Sequence, residues 1–172
     1  MTTKTGTRQT PRSTAAADAI KLLMDDHKQV KALFQKYSKL IENHADDDER
    51  QSLAEQICLM LTVHATIEEE IFYPAARQAK VDSDLLDEAE VEHASAKDLI
   101  AQIRSMTPDD ALYDAKVTVL GEYIDHHVKE EQNEMFPKCV KSSMNLKAIG
   151  AQLAARKQAF MDEMSEGMVS MQ

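Results

Sequence analysis

Two stretches decide the fold: HATIEEEIFYP, from His64 to Pro74, and HVKEEQNEMFP, from His127 to Pro137. Both place a glutamate four residues after a histidine and a proline ten after it. A second pair of stretches repeats upstream of them. DHKQVKALF begins at Asp26 and EHASAKDLI at Glu92, and each has an acid, a histidine, a lysine four later and an apolar pair. The offset is 63 for His64/His127, Glu68/Glu131 and Pro74/Pro137, and 66 for His27/His93. An internal repeat of this kind reads as two helical hairpins related by a pseudo-two-fold axis, with the matching residues meeting at the centre.

The segments around these motifs have the apolar spacing of amphipathic helices, with steps of three and four. The first runs from Ala15 to Asn43 with a stripe through Ile20, Leu23, His27, Val30, Phe34, Tyr37 and Ile41. The second runs from Asp48 to Ala79 through Leu53, Ile57, Met60, His64, Glu68, Ile71 and Ala75, and Pro74 predicts a kink or an early end. The third starts at Asp82 or Ser83 and carries Leu86, Ala89, His93, Ala96, Ile100 and Ile103. The fourth is expected to start at Thr107 as cap, with Pro108, Asp109 and Asp110 in the first turn. Its stripe is Tyr113, Val117, Leu120, Ile124, His127 and Glu131. A fifth helix fits Asn145–Met164, packing outside or at one end through Leu146, Ile149, Leu153, Phe160 and Met164, with fraying from Ser165. Short connections favour antiparallel neighbours. The expected fold is all-α: an antiparallel up-down four-helix bundle over 14–142, an additional C-terminal helix and tail over 143–172, and a disordered basic tail over 1–13.

Composition agrees. The 172 residues include only 4 Gly, 4 Pro and no Trp, with 43% hydrophobic and 29% charged residues, which suits one helical domain. The net charge is −10, although residues 1–13 contribute Lys4, Arg8 and Arg12 and no acid. So acidic a body repels phosphate backbones, and no nucleic-acid partner is expected. No apolar run of about 18 residues exists, so no membrane span is expected. The N-terminus has no apolar core of a secretory signal. Cys58 and Cys139 form no CxxC pair, which fits a reduced, cytoplasmic protein.

Six residues carry the chemistry. A single histidine on an apolar stripe is ordinarily a core residue with one hydrogen bond. Two glutamates on inward lines are harder to accommodate, because an unpaired buried carboxylate costs several kcal/mol. Glu68 and Glu131 each follow a histidine by one turn, so the two side chains can reach one cation. His27, His64, Glu68, His93, His127 and Glu131 are therefore the candidate metal ligands. Imidazole and carboxylate without thiolate suit iron, manganese or zinc, and two carboxylates shared by four histidines suit a pair of irons. His126 and Glu130 share the spacing of four, but only His127 keeps the proline ten residues on. A ferritin-like plan needs Glu-x-x-His on two helices, and only Glu90–His93 supplies it. His44 lies in an acidic loop and reads as solvated.

The pattern His, His-x-x-x-Glu, His, His-x-x-x-Glu over residues 15–140 resembles the hemerythrin-like (HHE cation-binding) family. The resemblance implies two iron ions with a bridging oxo or hydroxo group, carried between Glu68 and Glu131. His27 and His64 would serve one iron, His93 and His127 the other. It also implies a small-molecule ligand: O2, hydrogen peroxide or NO, in oxidative or nitrosative stress. Oxygen-carrying hemerythrins have a fifth histidine one turn after the third-helix histidine; here that position is Lys97, matched by Lys31 in the first half. A protonated lysine cannot ligate, so one coordination position on each iron stays open, which favours peroxide or NO chemistry over oxygen carriage. A catalase- or peroxidase-like activity is one expectation. A non-catalytic iron or oxygen sensor or a storage protein is another, and a metal-free interaction bundle a third. Glu134 reads as solvated. Tyr123 reads as a core residue, or as a hydrogen-bond donor to a ligand.

Overall fold

The computed structural model describes residues 18–169, and every regular element among them is helical. The expected basic tail over 1–13 lies outside the described residues. α1 spans Ala19–Glu42 and α2 Asp47–Ile67. A single π-helical turn, π1 (Glu68–Phe72), carries α2 without a break into α3 (Tyr73–Gln78). α4 is Ser83–Arg104. α5 (Tyr113–Glu130) runs through a second π turn, π2 (Glu131–Met135), into α6 (Phe136–Lys141). α7 is Leu146–Val169. None of these helices is long and apolar enough to cross a membrane.

Aspartates start three helices by accepting hydrogen bonds from backbone amides of the first turn. Asp18 accepts from Lys21 at 2.9 Å, Asp46 from Glu49 at 2.9 Å, and Asp82 from Asp84 and Leu85. The fourth long helix departs from expectation. It starts at Tyr113 rather than at Thr107. The Asp110 carboxylate folds back to accept from the Thr107 amide at 2.8 Å, and the Asp110 amide donates to the Thr107 carbonyl at 2.9 Å. The acids that would complement a helix start instead close a separate turn. His44 and Lys80 end the helices before them in the left-handed region, at φ 53° and 58°. The amides of Ala45 and Val81, one residue on, reach back to the carbonyls of Leu40 and Ala76.

Neither proline ends its helix. Pro74 and Pro137 lack the amide that would bond back four residues. The turn ahead of each is a π turn, in which Tyr73 N–H donates to Glu68 O and Phe136 N–H to Glu131 O. The wider turn rephases the helix. Ile71 and Ala75, on the stripe expected from a period of 3.6, are only half-buried, while Phe72, Tyr73 and Ala76 take the inward positions.

α2 packs on α1 and α4, and α5 on α4 and α1. Two apolar clusters fill the space they enclose. One contains Leu23, Ile67, Phe72, Leu86, Met135 and Phe136. The other contains Val30, Tyr37, Ile57, Leu61, Ile100 and Leu120. The four histidines singled out above fall between them, one on each long helix: His27 between Leu23 and Val30, His93 between Ala89 and Ala96. Gly121 lets α5 approach α1 closely; a Cβ there would stand 3.0 Å from the Phe34 ring. A polar latch ties three helices, with Tyr37 OH donating to Asp114 at 2.6 Å and Arg50 to the same carboxylate at 2.8 Å.

α7 packs against α1, α2 and π1. Ile149 and Leu153 enter the first apolar cluster. Phe160 is half-buried under the Arg156 guanidinium, and Met164 is exposed, so the expected stripe leaves the core after Leu153. Ser165 remains helical rather than frayed. Leu153→Ala removes a fully buried side chain at the centre of this contact. It is expected to destabilise the protein by roughly 2–5 kcal/mol, read as a lower urea midpoint; an unchanged midpoint would show that α7 does not depend on this anchor.

Candidate metal centre

The rings of His27 and His64 meet at Nε2–Nε2 3.2 Å, and those of His93 and His127 at 3.3 Å. The two pairs face opposite oxygens of Glu68. His64 Nε2 is 2.9 Å from Oε1, and His93 Nε2 is 3.1 Å from Oε2. Glu131 Oε2 lies 2.8 Å from His127 Nε2. Both glutamates are sealed from solvent, at 0% and 1% exposure. Glu68 Oε1 and Glu131 Oε1 nevertheless have no hydrogen bond, because the close approach of His64 to Glu68 is not aligned as one. A native core leaves few such atoms unpaired. Two orphaned carboxylate oxygens among four imidazole nitrogens fit a site made for cations. Nitrogen and oxygen ligands at about 2.0–2.2 Å from a metal stand about 3 Å apart when adjacent, which is the spacing found here. His27, His64 and Glu68 form one group able to hold an ion, and Glu68, His93 and His127 another.

The outer nitrogen of each ring is also held. His64 Nδ1 faces Asp26 at 3.1 Å, His127 Nδ1 faces Glu92 at 2.6 Å, His93 Nδ1 faces Glu69 at 3.0 Å, and His27 Nδ1 faces Gln132 at 2.9 Å. An acceptor at Nδ1 places the ring proton there and leaves Nε2 free to face a cation. These orienting groups repeat as the six candidate residues do. Asp26 and Glu92 immediately precede a histidine, and Glu69 and Gln132 immediately follow a glutamate. Sequence reading missed all four, although the repeat that exposed the candidate residues contains them. Gln132 breaks the symmetry with an amide where Glu69 has a carboxylate.

Tyr73 is the second break, and it too was missed. Its hydroxyl lies 3.1 Å from Glu68 Oε2, 3.2 Å from Glu131 Oε2, 3.3 Å from His93 Nε2 and 3.4 Å from His127 Nε2. The repeat partner is Phe136, which has no hydroxyl and stacks on His27. The π turn brings Tyr73 inward, and a strict 3.6 period hides it.

Other expectations sort by exposure. His126 is 68% exposed, so the alternative register with Glu130 stays at the surface. His44 and Glu134 are exposed. Tyr123 is 51% exposed and is neither a core residue nor a donor to a ligand. Lys31 lies 4.0 Å from Asp125 on the surface. Lys97 reaches over the edge to Glu69 Oε2 at 2.5 Å, backing the carboxylate that holds His93. Beside the four histidines lies a cavity of ≈ 70 Å³, walled by Val30, Leu61, Ala65, Ala96, Ile124 and Val128. One water needs about 10–15 Å³, so there is room for a small molecule on an apolar wall.

A family model matches these residues. The model for the Hemerythrin HHE cation binding domain covers residues 18–139. The chain belongs to this family. An HHE cation-binding domain-containing protein of Mycobacterium kansasii, solved by crystallography, shares the family's fold with it. The TM-score is 0.72 at 22% identity, over 86% of this chain and 89% of that one. A protein of Nostoc sp. (strain PCC 7120 / SAG 25.82 / UTEX 2576) named "DNA nickase" is 30% identical over 111 residues, 64% of this chain. The family member described here spans only 30% of that relative's length. α7 lies beyond the matched residues.

The charges of the metal-free centre are strongly displaced. Burial opposes protonation of His64, but the Glu68 charge 2.9 Å away and the bond to Asp26 outweigh it and raise its pKa to about 10. His127 is pushed well up against the same burial, by its bonds to Glu131 and Glu92. His27 falls to about 4, through burial and then the neighbouring His64 charge. Burial and the Glu68 charge raise Glu131 to about 7, whereas the surrounding histidines, His64 first, overcome burial and hold Glu68 well below the carboxylate range. A histidine whose folded pKa is raised contributes stability below the unfolded value and loses it as pH rises through the folded one. The metal-free protein is therefore expected to lose stability from pH 6.5 toward pH 10 as His64 gives up its proton, with His127 acting in the same direction. Bound cations replace those protons, so the decline should shrink after metal loading. Thermal unfolding of both forms across this range is the measurement; parallel pH profiles would contradict the assignment.

Proposed function

We propose that the chain holds an oxo- or hydroxo-bridged di-iron centre between Glu68 and Glu131, and that it uses the centre on a small oxidant: hydrogen peroxide, O2 or NO. One observation carries the reading: two solvent-free glutamates, each with an unpaired oxygen, lie among four converging histidine nitrogens. The four long helices act as an antiparallel up-down bundle that carries the ligands inward, with α7 added outside. His27 and His64 would hold one ion and His93 and His127 the other, with Glu68 shared between the two groups and Glu131 adding a carboxylate at the His127 side. Thiolate is absent from the donor set, since Cys58 and Cys139 sit in the apolar clusters, which supports iron over a structural zinc. Bound iron supplies Lewis acidity and one-electron redox chemistry.

The chain's own residues do the rest. Asp26, Glu69, Glu92 and Gln132 fix the ring orientations. The apolar cavity excludes bulk water and admits a molecule of a few atoms. Tyr73 brings its hydroxyl to the His93/His127 side, where burial and the Glu131 and Glu68 charges keep it protonated in the metal-free protein. With an ion held at those donors, Tyr73 would offer its phenol oxygen as a further donor on that side. The two halves of the centre thus differ, one with a phenol and the other without.

The Nostoc relative's name speaks of DNA nicking. The net charge of −10 works against a phosphate backbone, and we extend no nucleic-acid partner to this chain. Two free, buried cysteines support a reducing, cytoplasmic setting.

Protein produced in iron-rich medium is expected to carry two irons per chain and to consume hydrogen peroxide. Glu131→Gln should weaken iron binding by more than the roughly 10–100-fold typical of losing an outer-shell partner. Tyr73→Phe should keep both irons and change the visible absorption. Iron-loaded protein without peroxide or NO reactivity, but with protease sensitivity that depends on metal, would favour the sensor reading. No iron in the wild type would overturn both.

A further inference from the structure

The terminal helix α7 makes a polar connection to the centre that packing alone does not require. Asp26 is 5% exposed, and its two oxygens serve two elements. Oδ2 accepts from His64 Nδ1 on α2, and Oδ1 accepts from Lys157 Nζ on α7. Arg156, next along α7, binds both oxygens of Glu70 in π1, at 2.7 and 3.3 Å. The helix is thus pinned to the π turn that begins at Glu68 and to the carboxylate that orients His64.

We infer that Lys157 is a positioning residue for the His27/His64 half of the centre, acting through Asp26, and that docking of α7 and metal binding at that half are coupled. This rests on the metal-centre reading above. A buried carboxylate with one partner is costly and free to turn. With Lys157 in place, Oδ1 of Asp26 is held and its Oδ2 stays aimed at His64. The two-fold mate of Asp26 has no lysine or arginine behind it. Glu92 is more exposed, and its second oxygen lies 3.6 Å from the exposed His126, beside Glu130. Lys157 therefore acts on one half alone. Coupling is reciprocal: metal at His64 holds Asp26 in register for Lys157 and so retains α7.

The test is anaerobic titration of the full-length metal-free chain with ferrous iron, comparing wild type with Lys157→Met, Lys157→Arg and Arg156→Ala. Lys157→Met should weaken one of two binding steps by roughly 10–100-fold and leave the other unchanged. Lys157→Arg should recover most of the loss. Arg156→Ala, which loosens α7 without touching Asp26, should lose less than Lys157→Met. Hydrogen exchange in α7 should slow on metal loading in the wild type and respond less in Lys157→Met. Two unchanged steps in Lys157→Met, equal weakening of both, or an equal loss in Arg156→Ala would each overturn the inference while the metal centre stands. A wild type that takes up no iron would overturn the metal-centre reading, and this inference with it.

Discussion

Glu68 and Glu131 put two carboxyl groups side by side where water cannot reach them, and the rest of the structure is arranged around that constraint. An isolated carboxylate in such a place would shift its pKa and become neutral. Here the two respond differently. The histidines hold Glu68 ionised, while its charge pushes Glu131 up to about 7. Without cations the centre is a shared store of protons among acids and bases. That arrangement leaves two carboxylate oxygens without a partner, and so describes a site incomplete on its own terms.

The helices make the constraint tolerable by layering. Apolar clusters lie on both sides of the polar belt, so each long helix passes from core to donor to core within three or four turns. Around the donors stands a ring of acceptors, and two of these have cations behind them: Lys97 behind Glu69 and Lys157 behind Asp26. Charge therefore alternates outward from the centre. The pattern repeats with the two hairpins and then departs from symmetry at Gln132, Tyr73 and Lys157.

The six candidate positions were legible because histidine and glutamate fell on apolar stripes, where a polar residue needs a reason. The orienting residues were not, because Asp26, Glu69 and Glu92 each lie one place off the stripe, where an acid needs no special reason. Tyr73 was hidden for a different reason. A period of 3.6 carried past Glu68 puts Ile71 and Ala75 inward, and the π turn instead presents Phe72 and Tyr73. Both prolines were visible in the sequence, but their effect is a wider turn and not a helix end. The start of α5 misled because Thr-Pro-Asp-Asp serves equally for a cap and for the closed turn that Asp110 builds. Lys157 could not have been placed, since nothing in α7 marks which of its cations reaches inward.

The most direct measurement is anomalous diffraction at the iron edge from crystals of the ferrous-loaded protein. Two peaks are expected, one within reach of His27 and His64 and one within reach of His93, His127 and Tyr73, with Glu68 and Glu131 between them. A map with no iron between those carboxylates, or with either side chain turned out to solvent, would contradict the account.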